Sequence, residues 1–345
     1  MSEAAQPKPK KLRTWSAFGE IRKVPSEYEV VTHDTNYSMR AGRAAPFESN
    51  PTTPANIWYR TYRENSPLKC ETWNGFRDPA ETTYRKYVTQ QDGQEAVLDG
   101  VAHEFSSTRH DAQLDTAWVD ALGQWLVPQR FVAHALQMTQ AYLGTMAPSS
   151  YITNAAAFGA ADLLRRVSRT AYRTRQLQIA HPGVTSLSAG RATWEDGPAW
   201  QEVRKVLEYS LVAYDWAEGF CAVNLVLRPA LDELLLRQFG RIAETRGDGQ
   251  TWLVLSNLLE DSARHARWSV ALAQYAIAQR PENRDVLARW GNRWLPMMKH
   301  AIQETATAMS GAGLLAGQQK AGIIGSCLDA QQTVWHQSGL SDDSN

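Results

Sequence analysis

The helical character of this chain is clearest in residues 252–279, which read WLVLSNLLEDSARHARWSVALAQYAIAQ. Apolar side chains recur there every three or four residues, which places them on one face of an α-helix. These positions are Leu255, Leu258, Leu259, Ala263, Ala266, Val270 and Tyr275. A turn sequence, Gly247-Asp248-Gly249, precedes the stretch. Such a long helix with a broad apolar face is typical of an element buried in a helical bundle.

The same period continues over most of the chain from about residue 86 to 310. It predicts helices from Tyr87 to His110, Ala112 to Leu126, Pro128 to just before Met146, Ser150 to Ile179, Trp200 to Phe239 and Asn283 to Met309. Pro229 is expected to bend its helix without necessarily ending it. Residues 183–198 are predicted to form a loop, and residues beyond 310 a loosely held tail. Since no stretch shows strand-like alternation, the sequence predicts an all-α fold.

The first 85 residues differ from the rest, because eight of the chain's 15 prolines lie there. Prolines this dense exclude long helices, yet many aromatic residues are spread among them. We therefore predict an extended N-terminal arm (residues 1–85), a helical domain (86–310) and a C-terminal tail (311–345). The arm is expected to bury its rings either on its own helical body or on another subunit. The candidate partner-contact residues are Trp15, Trp58, Tyr59, Tyr62, Trp73 and Tyr84.

The composition excludes several classes of protein. The 345 residues include 36 basic and 36 acidic side chains, and this zero net charge argues against nucleic-acid binding. The three cysteines form no Cys-x-x-Cys pair, which argues against a zinc knuckle or a disulfide framework. We find neither an apolar run long enough to span a membrane nor an apolar N-terminal segment. The sequence thus favours a cytoplasmic protein that does not contact membranes.

Helical bundles often hold metal ions, and ligands three residues apart share one helix face and can bind the same ion. A di-iron carboxylate site uses two Glu-x-x-His pairs and two further glutamates. None of the eight histidines has a carboxylate three residues before or after it. The pairs Asp261/His265 and His300/Glu304 have four-residue spacing, which more often stabilises a helix than binds metal. We therefore predict no metal ligand, no cofactor-binding residue and no catalytic residue in this chain.

Two further acidic residues, Asp215 and Glu218, lie one turn apart on a very apolar helix. A buried carboxylate needs a partner, such as an arginine or a backbone donor. Without a histidine nearby, a core ion pair is the favoured interpretation. The motifs of phosphate-binding loops and of nucleophile turns are absent from the sequence.

Short segments along the chain form a recognisable series. They include Arg13-Thr14-Trp15-Ser16, Lys23-Val24-Pro25-Ser26-Glu27-Tyr28, Trp58-Tyr59-Arg60-x-Tyr62-Arg63, Ser66-Pro67-Leu68-Lys69, Gln91-Asp92-Gly93-Gln94-Glu95, Thr170-Ala171-Tyr172-Arg173-Thr174 and Arg264-His265-x-Arg267-Trp268-Ser269. In their order and number these segments resemble the β subunit of the hydroxylase component of bacterial multicomponent (soluble) di-iron monooxygenases. The resemblance covers about residues 12 to 310 and is closest to the toluene/alkene monooxygenase branch.

This resemblance implies a ferritin-like (ribonucleotide-reductase-like) bundle that lacks a di-iron site. It implies pairing with a homologous α subunit that holds the di-iron centre, and with a γ subunit, in a dimer of αβγ protomers. A regulatory protein, an iron-sulfur ferredoxin and a flavin reductase would complete the system. The ligand helix of α resembles Asp-Glu-x-Arg-His, whereas this chain has Asp261-Ser262-Ala263-Arg264-His265. A serine thus stands where the iron-binding glutamate would be, in agreement with the spacing of the histidines.

The resemblance implies a non-catalytic subunit of an NADH-dependent enzyme that inserts one oxygen atom from O2 into a hydrocarbon. Both aromatic ring hydroxylation and alkene epoxidation remain open, because the substrate pocket belongs to another chain. Two alternatives also remain open at this point. The chain could be a helical adaptor or regulator unconnected with oxygenation, or, less favoured, an autonomous di-iron oxidase.

Overall fold

The computed structural model describes residues 24–32, 54–315 and 319–340. Within these ranges every regular element is a helix, which confirms the all-α prediction. The helices are α1 (Glu27–Thr32), α2 (Pro54–Tyr59), α3 (Tyr84–Ser107), α4 (Thr116–Trp125), α5 (Gln129–Met146), α6 (Ser150–Ala180), α7 (Gly190–Asp196), α8 (Gln201–Leu211), α9 (residues 216–245), α10 (Gly249–Gln279), α11 (Asn283–Gly311) and α12 (Gln319–Gln337).

Helix α9 lies at the centre of the molecule. Nearly every residue from 216 to 240 is buried, as expected for a helix that is apolar on all sides. Two stretches of it, Cys221–Leu227 and Glu233–Gln238, are π-helical and alternate with α-helical turns. Pro229 follows the first of them, where the regular hydrogen-bond register is already interrupted. The helix therefore continues past this proline, as predicted.

The long helices α5, α6 and α10 pack around α9. Helices α5 and α6 contact each other extensively, and the turn between them is so short that they run antiparallel. The hydroxyl of Thr153 fastens this turn by donating a hydrogen bond to the Gly144 carbonyl over 2.8 Å. Helix α3 contacts α10 and pairs with α6 on one side, where Gln91 and Leu98 are its buried residues, and is exposed on the other. Helix α11 packs on α8 and α9.

Three predictions about the secondary structure are wrong. The predicted helix from Trp200 to Phe239 is interrupted at residues 212–215, because the Asp215 side chain caps a new helix by accepting from the backbone N–H groups of Ala217 and Glu218. The predicted loop at residues 183–198 contains α7. The predicted loose tail contains α12, which buries Ile323, Cys327 and Val334 against the body. Glycines and glutamines dilute the apolar period of this last helix.

The described part of the predicted arm contains only the short helices α1 and α2, a π-helical turn at Arg60–Glu64 and a 3-10 turn at Trp73–Gly75. The remaining residues up to α3 are irregular. In the described ranges, no helix combines the length and the apolarity that crossing a membrane requires.

Candidate functional site in the bundle interior

The interior between α6, α9 and α10 contains charged side chains instead of a purely apolar core. Each of these helices contributes an oppositely charged pair one turn apart, so that both members lie on the face turned inward. The pairs are Asp162 and Arg166 on α6, Arg228 and Asp232 on α9, and Asp261 and Arg264 on α10, all of them buried. The same spacing would also suit pairs of metal ligands. Whether the interior could bind a metal therefore depends on which groups each carboxylate contacts.

The carboxylates of Asp162 and Asp261 share the guanidinium of Arg264. Arg264 Nη2 donates to Asp162 Oδ1 and lies 3.4 Å from Asp261 Oδ1. Arg165 Nη1 donates to the other oxygen of Asp261 over 2.8 Å. Burial raises the pKa of Asp162 to about 6, and the nearby charge of Asp261 adds to this increase while Arg264 opposes it. The Tyr87 hydroxyl donates to the same Asp162 oxygen over 3.0 Å.

The carboxylate of Asp232 is held between two arginines. Arg166 Nη1 donates to one of its oxygens over 2.8 Å, and Arg228 Nε donates to the other over 3.2 Å. Burial lowers the pKa of Arg166, and the charge of Asp232 opposes that change. Both oxygens of this carboxylate are therefore occupied by guanidinium groups.

His265 is buried beside this network and is uncharged. Trp268 Nε1 donates to its Nδ1 over 3.2 Å, so the neutral ring carries its proton on Nε2. Burial lowers the pKa of His265 well below its ordinary value, and the charges of Arg228 and Arg264 lower it further. Its Nε2 has no hydrogen-bond partner among the described residues. Gly159 makes room for the ring, because an added Cβ would lie 2.9 Å from Nδ1.

The interior residues do not fit a di-iron centre. Such a centre needs carboxylates and histidines whose lone pairs are available to the metal. Here the three interior carboxylates bind arginines, and the one histidine lies next to two of those cations. Within the described ranges, no cluster of three or more histidine, cysteine, aspartate or glutamate side chains could hold a metal ion. The arrangement joins α6, α9 and α10 through ion pairs.

The network continues outward to the surface between α3 and α6. Glu95 accepts hydrogen bonds from both Arg165 and Arg169, and Arg169 also pairs with Asp99 over 2.9 Å. Partial burial would raise the pKa of Glu95, but the two arginines hold it below its ordinary value. These ion pairs join α3 to α6 and determine which side of each helix faces the other.

A second buried network lies at the N-terminus of α10. Asp248 accepts from the Thr251 backbone N–H over 3.0 Å, which caps the helix, and from Arg173 Nη2 over 3.1 Å. Trp118 Nε1 donates to its other oxygen over 3.2 Å. Burial alone would raise the pKa of Asp248, but the His110 ring, the Arg173 guanidinium and Thr251 lower it to about 2. This carboxylate therefore links α4, α6 and α10.

The structure places the predicted partner-contact residues in several different surroundings. Trp15 lies outside the described residues. The rings of Trp58 and Tyr62 lie 4.6 Å apart, and the Tyr214 ring lies 5.0 Å from that of Trp58. Trp58 Nε1 also donates to the Tyr142 hydroxyl over 2.9 Å. This ring cluster holds α2 on the helical body, while part of Trp58 stays exposed.

The other three candidates have further contacts or are exposed. Trp73 packs edge-on against Trp216 at the start of α9, with 5.0 Å between ring centroids. The Arg63 guanidinium lies over the Tyr59 ring at 4.6 Å. Tyr84, at the start of α3, is 75% exposed. The described part of the arm thus packs on its own chain, one of the two alternatives, and exposed rings remain that a partner could cover.

The other predicted pairs behave as follows. Glu218 accepts from Arg293 Nη1 over 2.9 Å, but that arginine side chain is 62% exposed, so the expected core ion pair is wrong and the pair lies at the surface. Asp215 accepts from backbone groups and from the Ser66 hydroxyl. Asp261 does not pair with His265, since it binds arginines. The imidazole of His300 lies 3.7 Å from Glu202 and is exposed.

Sequence reasoning missed the charged pairs at the centre of the bundle. The signal that could have found them is an opposite-charge pair within an otherwise apolar helix. Arg228 and Asp232 have this pattern inside the run CAVNLVLRPALDELLL, residues 221–236. Such a pair is costly to bury unless partners on other helices complete it.

Comparison with known proteins gives concordant results. Residues 58–280 match the sequence profile of the family described as Methane/Phenol/Alkene Hydroxylase. The chain is 36% identical over 301 residues to the hydroxylase component subunit beta of the toluene-4-monooxygenase system of Ectopseudomonas mendocina, covering 87% of this chain and 91% of that protein. It is 26% identical over 251 residues to the phenol 2-monooxygenase oxygenase component DmpL of Pseudomonas sp. strain CF600, covering 72% and 74%.

A solved structure agrees with these sequence relatives. A chain of toluene 4-monooxygenase (T4moH), determined with toluene bound in the resting active site, superposes with a TM-score of 0.82 and 35% identity. The superposition covers 88% of this chain and all of that chain. The predicted ferritin-like bundle is thereby confirmed.

Proposed function

Because the chain belongs to the methane/phenol/alkene hydroxylase family, we propose that it is the non-catalytic, structural β subunit of a multicomponent monooxygenase hydroxylase. The assembled enzyme would insert one oxygen atom from O2 into a hydrocarbon, by hydroxylating an aromatic ring or epoxidising an alkene. The di-iron centre would lie in a homologous α subunit. A γ subunit and a second αβγ protomer would complete the hydroxylase in the cytoplasm.

One observation carries the proposal that this chain is non-catalytic. Guanidinium groups, not metal, neutralise the interior carboxylates Asp162, Asp232 and Asp261. An arginine stays protonated at any pH at which a protein is folded, so a divalent cation would be repelled from this interior. These contacts support the proposal that chemistry at iron takes place in another subunit. The regulatory protein, ferredoxin and reductase are proposed to act on the assembled complex.

The division of the chain into an arm (1–85), a helical domain (86–310) and a C-terminal segment (311–345), whose helix α12 packs on the domain, also remains a proposal. The buried networks would keep the helical domain rigid, which suits a subunit that supports a neighbouring active site. We further propose that the arm contributes to assembly through its candidate residues Trp15, Trp58, Tyr59, Tyr62, Trp73 and Tyr84. Part of Trp58 and most of Tyr84 are exposed and available for such contacts.

The experiment that tests the proposed function is co-expression of the chain with hydroxylase α and γ subunits, followed by measurement of complex mass and iron content. We expect iron only in complexes that contain α, and hydrocarbon oxidation only when this chain is present. The isolated chain should retain no stoichiometric iron after reconstitution with Fe(II). About two irons per isolated chain would instead identify an autonomous di-iron oxidase, because a bundle site of this kind holds two. A failure to join any hydroxylase subunit would favour an unrelated adaptor.

A further inference from the structure

Helix α6 has an inverted distribution of charge. Its charged residues from Asp162 to Arg173 all take part in ion pairs with other helices, and Asp162, Arg166 and Arg173 are fully inside the molecule. Its outward side is nearly uncharged. A surface helix normally shows the opposite arrangement, with its charges in water and its apolar stripe inside.

The outward side of α6 forms a stripe from residue 157 to residue 179. Its positions recur every three or four residues and therefore share one face. The uncharged members are Ala157, Ala161, Leu164, Ser168, Tyr172 and Ile179, and Arg175 occupies the position between the last two. Leu164 is 47% exposed, Tyr172 55% and Ile179 69%. In α6, which is described throughout, Arg175 is the one charged residue on this face.

Apolar residues on the neighbouring helices widen this stripe. Val88 lies on the same side of α3 as Glu95 and Asp99, because seven and eleven residues are close to whole numbers of turns. Since Glu95 and Asp99 pair with arginines of α6, Val88 must also lie on the side towards α6. On the other side, α5 packs along α6 and exposes Met138. Both residues are at least 40% exposed.

We propose that this face, the α6 stripe with its flanks on α3 and α5, is the surface on which the α subunit of the hydroxylase docks. The inference rests on the proposed function and names the surface that this function needs. Interface cores are depleted of charged residues and enriched in tyrosine and methionine, and this face is nearly uncharged and exposes Tyr172 and, on its flank, Met138.

The dimensions of the face suit a stable subunit contact. The stripe from residue 157 to residue 179 covers 23 residues, or about 34 Å of helix, and a layer of two neighbouring helices is about 20 Å wide. The product is on the order of 700 Å², close to the value of about 800 Å² per partner in a stable complex of standard size. An extended flat face fits another long helix better than it fits a small ligand, which needs a concave site.

The occupant should therefore be a helical subunit with a complementary apolar stripe. It should also place an acidic side chain opposite Arg175, whose described hydrogen bond is a long one of 3.5 Å to Gln178. The relatives are named as a subunit beta and as components of hydroxylases, so they belong to assemblies with further chains.

The test is a double substitution, Leu164→Asp with Tyr172→Asp, in the full chain co-expressed with α and γ. Two charges placed in the interface core should weaken the complex at least about 100-fold. Both side chains are exposed in the isolated chain, so its circular dichroism should remain unchanged. The conservative variant Leu164→Met with Tyr172→Phe should bind α as the wild type does. A matched control is Tyr209→Asp, because Tyr209 is 47% exposed and lies beyond the face, at the end of α8.

Loss of binding in the double variant, with binding retained in the conservative variant and in Tyr209→Asp, supports the proposed surface. Wild-type affinity in the double variant would overturn this surface and leave the proposed function intact. The same holds if Tyr209→Asp alone releases α, since the contact would then lie at the end of α8. Self-association of the chain through this face without binding of α would show that the occupant is a second copy. If the wild type binds no α subunit, both proposals fail.

Discussion

Replacing Asp248 with Asn would remove one charge from the network at the N-terminus of α10 while keeping the shape of the side chain. The pKa of this carboxyl is lowered from an ordinary 3.8 to about 2. That difference corresponds to about 2 kcal/mol of folding free energy at neutral pH. Leaving the buried Arg173 without this partner typically costs about 3–5 kcal/mol. Since Asn still caps a helix and Arg173 keeps its pair with Asp111, we expect a loss of about 3 kcal/mol.

The assay is urea unfolding of the purified chain, followed by far-ultraviolet circular dichroism from pH 7 to pH 2. Because the folded pKa of Asp248 lies below the unfolded value, its contribution is complete above about pH 4 and disappears as the pH falls towards 2. The gap between wild type and variant should therefore narrow across that range. Asp115→Asn is the matched control, because Asp115 caps α4 from an exposed position. It should cost less than about 0.5 kcal/mol. Equal losses in both variants would refute the argument that the buried ion pair matters.

Arg264→Met should lower the unfolding free energy by about 3–5 kcal/mol at pH 7.5, as loss of one partner from a buried pair does. The loss of stability should be smaller at pH 5, because the pKa of Asp162 is about 6 in the folded protein. Below that pH the carboxyl is protonated, so the variant no longer buries an unpaired negative charge. Urea denaturation at both pH values measures the difference, and Arg267→Met, at an exposed position, is the control. Gly291→Ala should cost about 1–3 kcal/mol, because the added Cβ would lie 2.2 Å from a tryptophan ring of α12. The Cβ added by Gly93→Ala, on α3, would have no other atom within 4 Å. The substitution should therefore increase the unfolding free energy by about 0.5–1 kcal/mol, which a thermal melt would show as a higher melting temperature.

The sequence was most informative where one helix face buries apolar residues at a regular period. Helices α5, α6, α10 and α11 were predicted to within a few residues, and the family resemblance was confirmed. Residues 319–337 were wrongly predicted as loose, because Ile323, Cys327 and Val334 are separated by small and polar residues that hide the period.

The candidate site could be predicted only in part. The sequence correctly predicted that His265 has no carboxylate three residues away. This spacing involves residues of a single helix, so it can be read without knowing how the helices pack. The partners of the interior carboxylates could not be obtained this way. Arg166 and Asp232 are 66 residues apart, and only the packing of α6 on α9 brings them together. The contact between Trp73 and Trp216 is also long-range and cannot be read from either segment alone.

Because α9 is enclosed by other helices, it should be among the last helices to unfold locally. Its backbone amides can reach solvent only after the surrounding helices separate, whereas α3 is held by the contacts of one side. Deuterium uptake by the isolated chain should therefore be slowest in residues 216–245 and much faster in residues 84–107. Incorporation into a larger assembly should slow hydrogen exchange in the outer helices and leave the exchange rate of α9 unchanged. The central helix would then be equally rigid in the isolated chain and in the assembly.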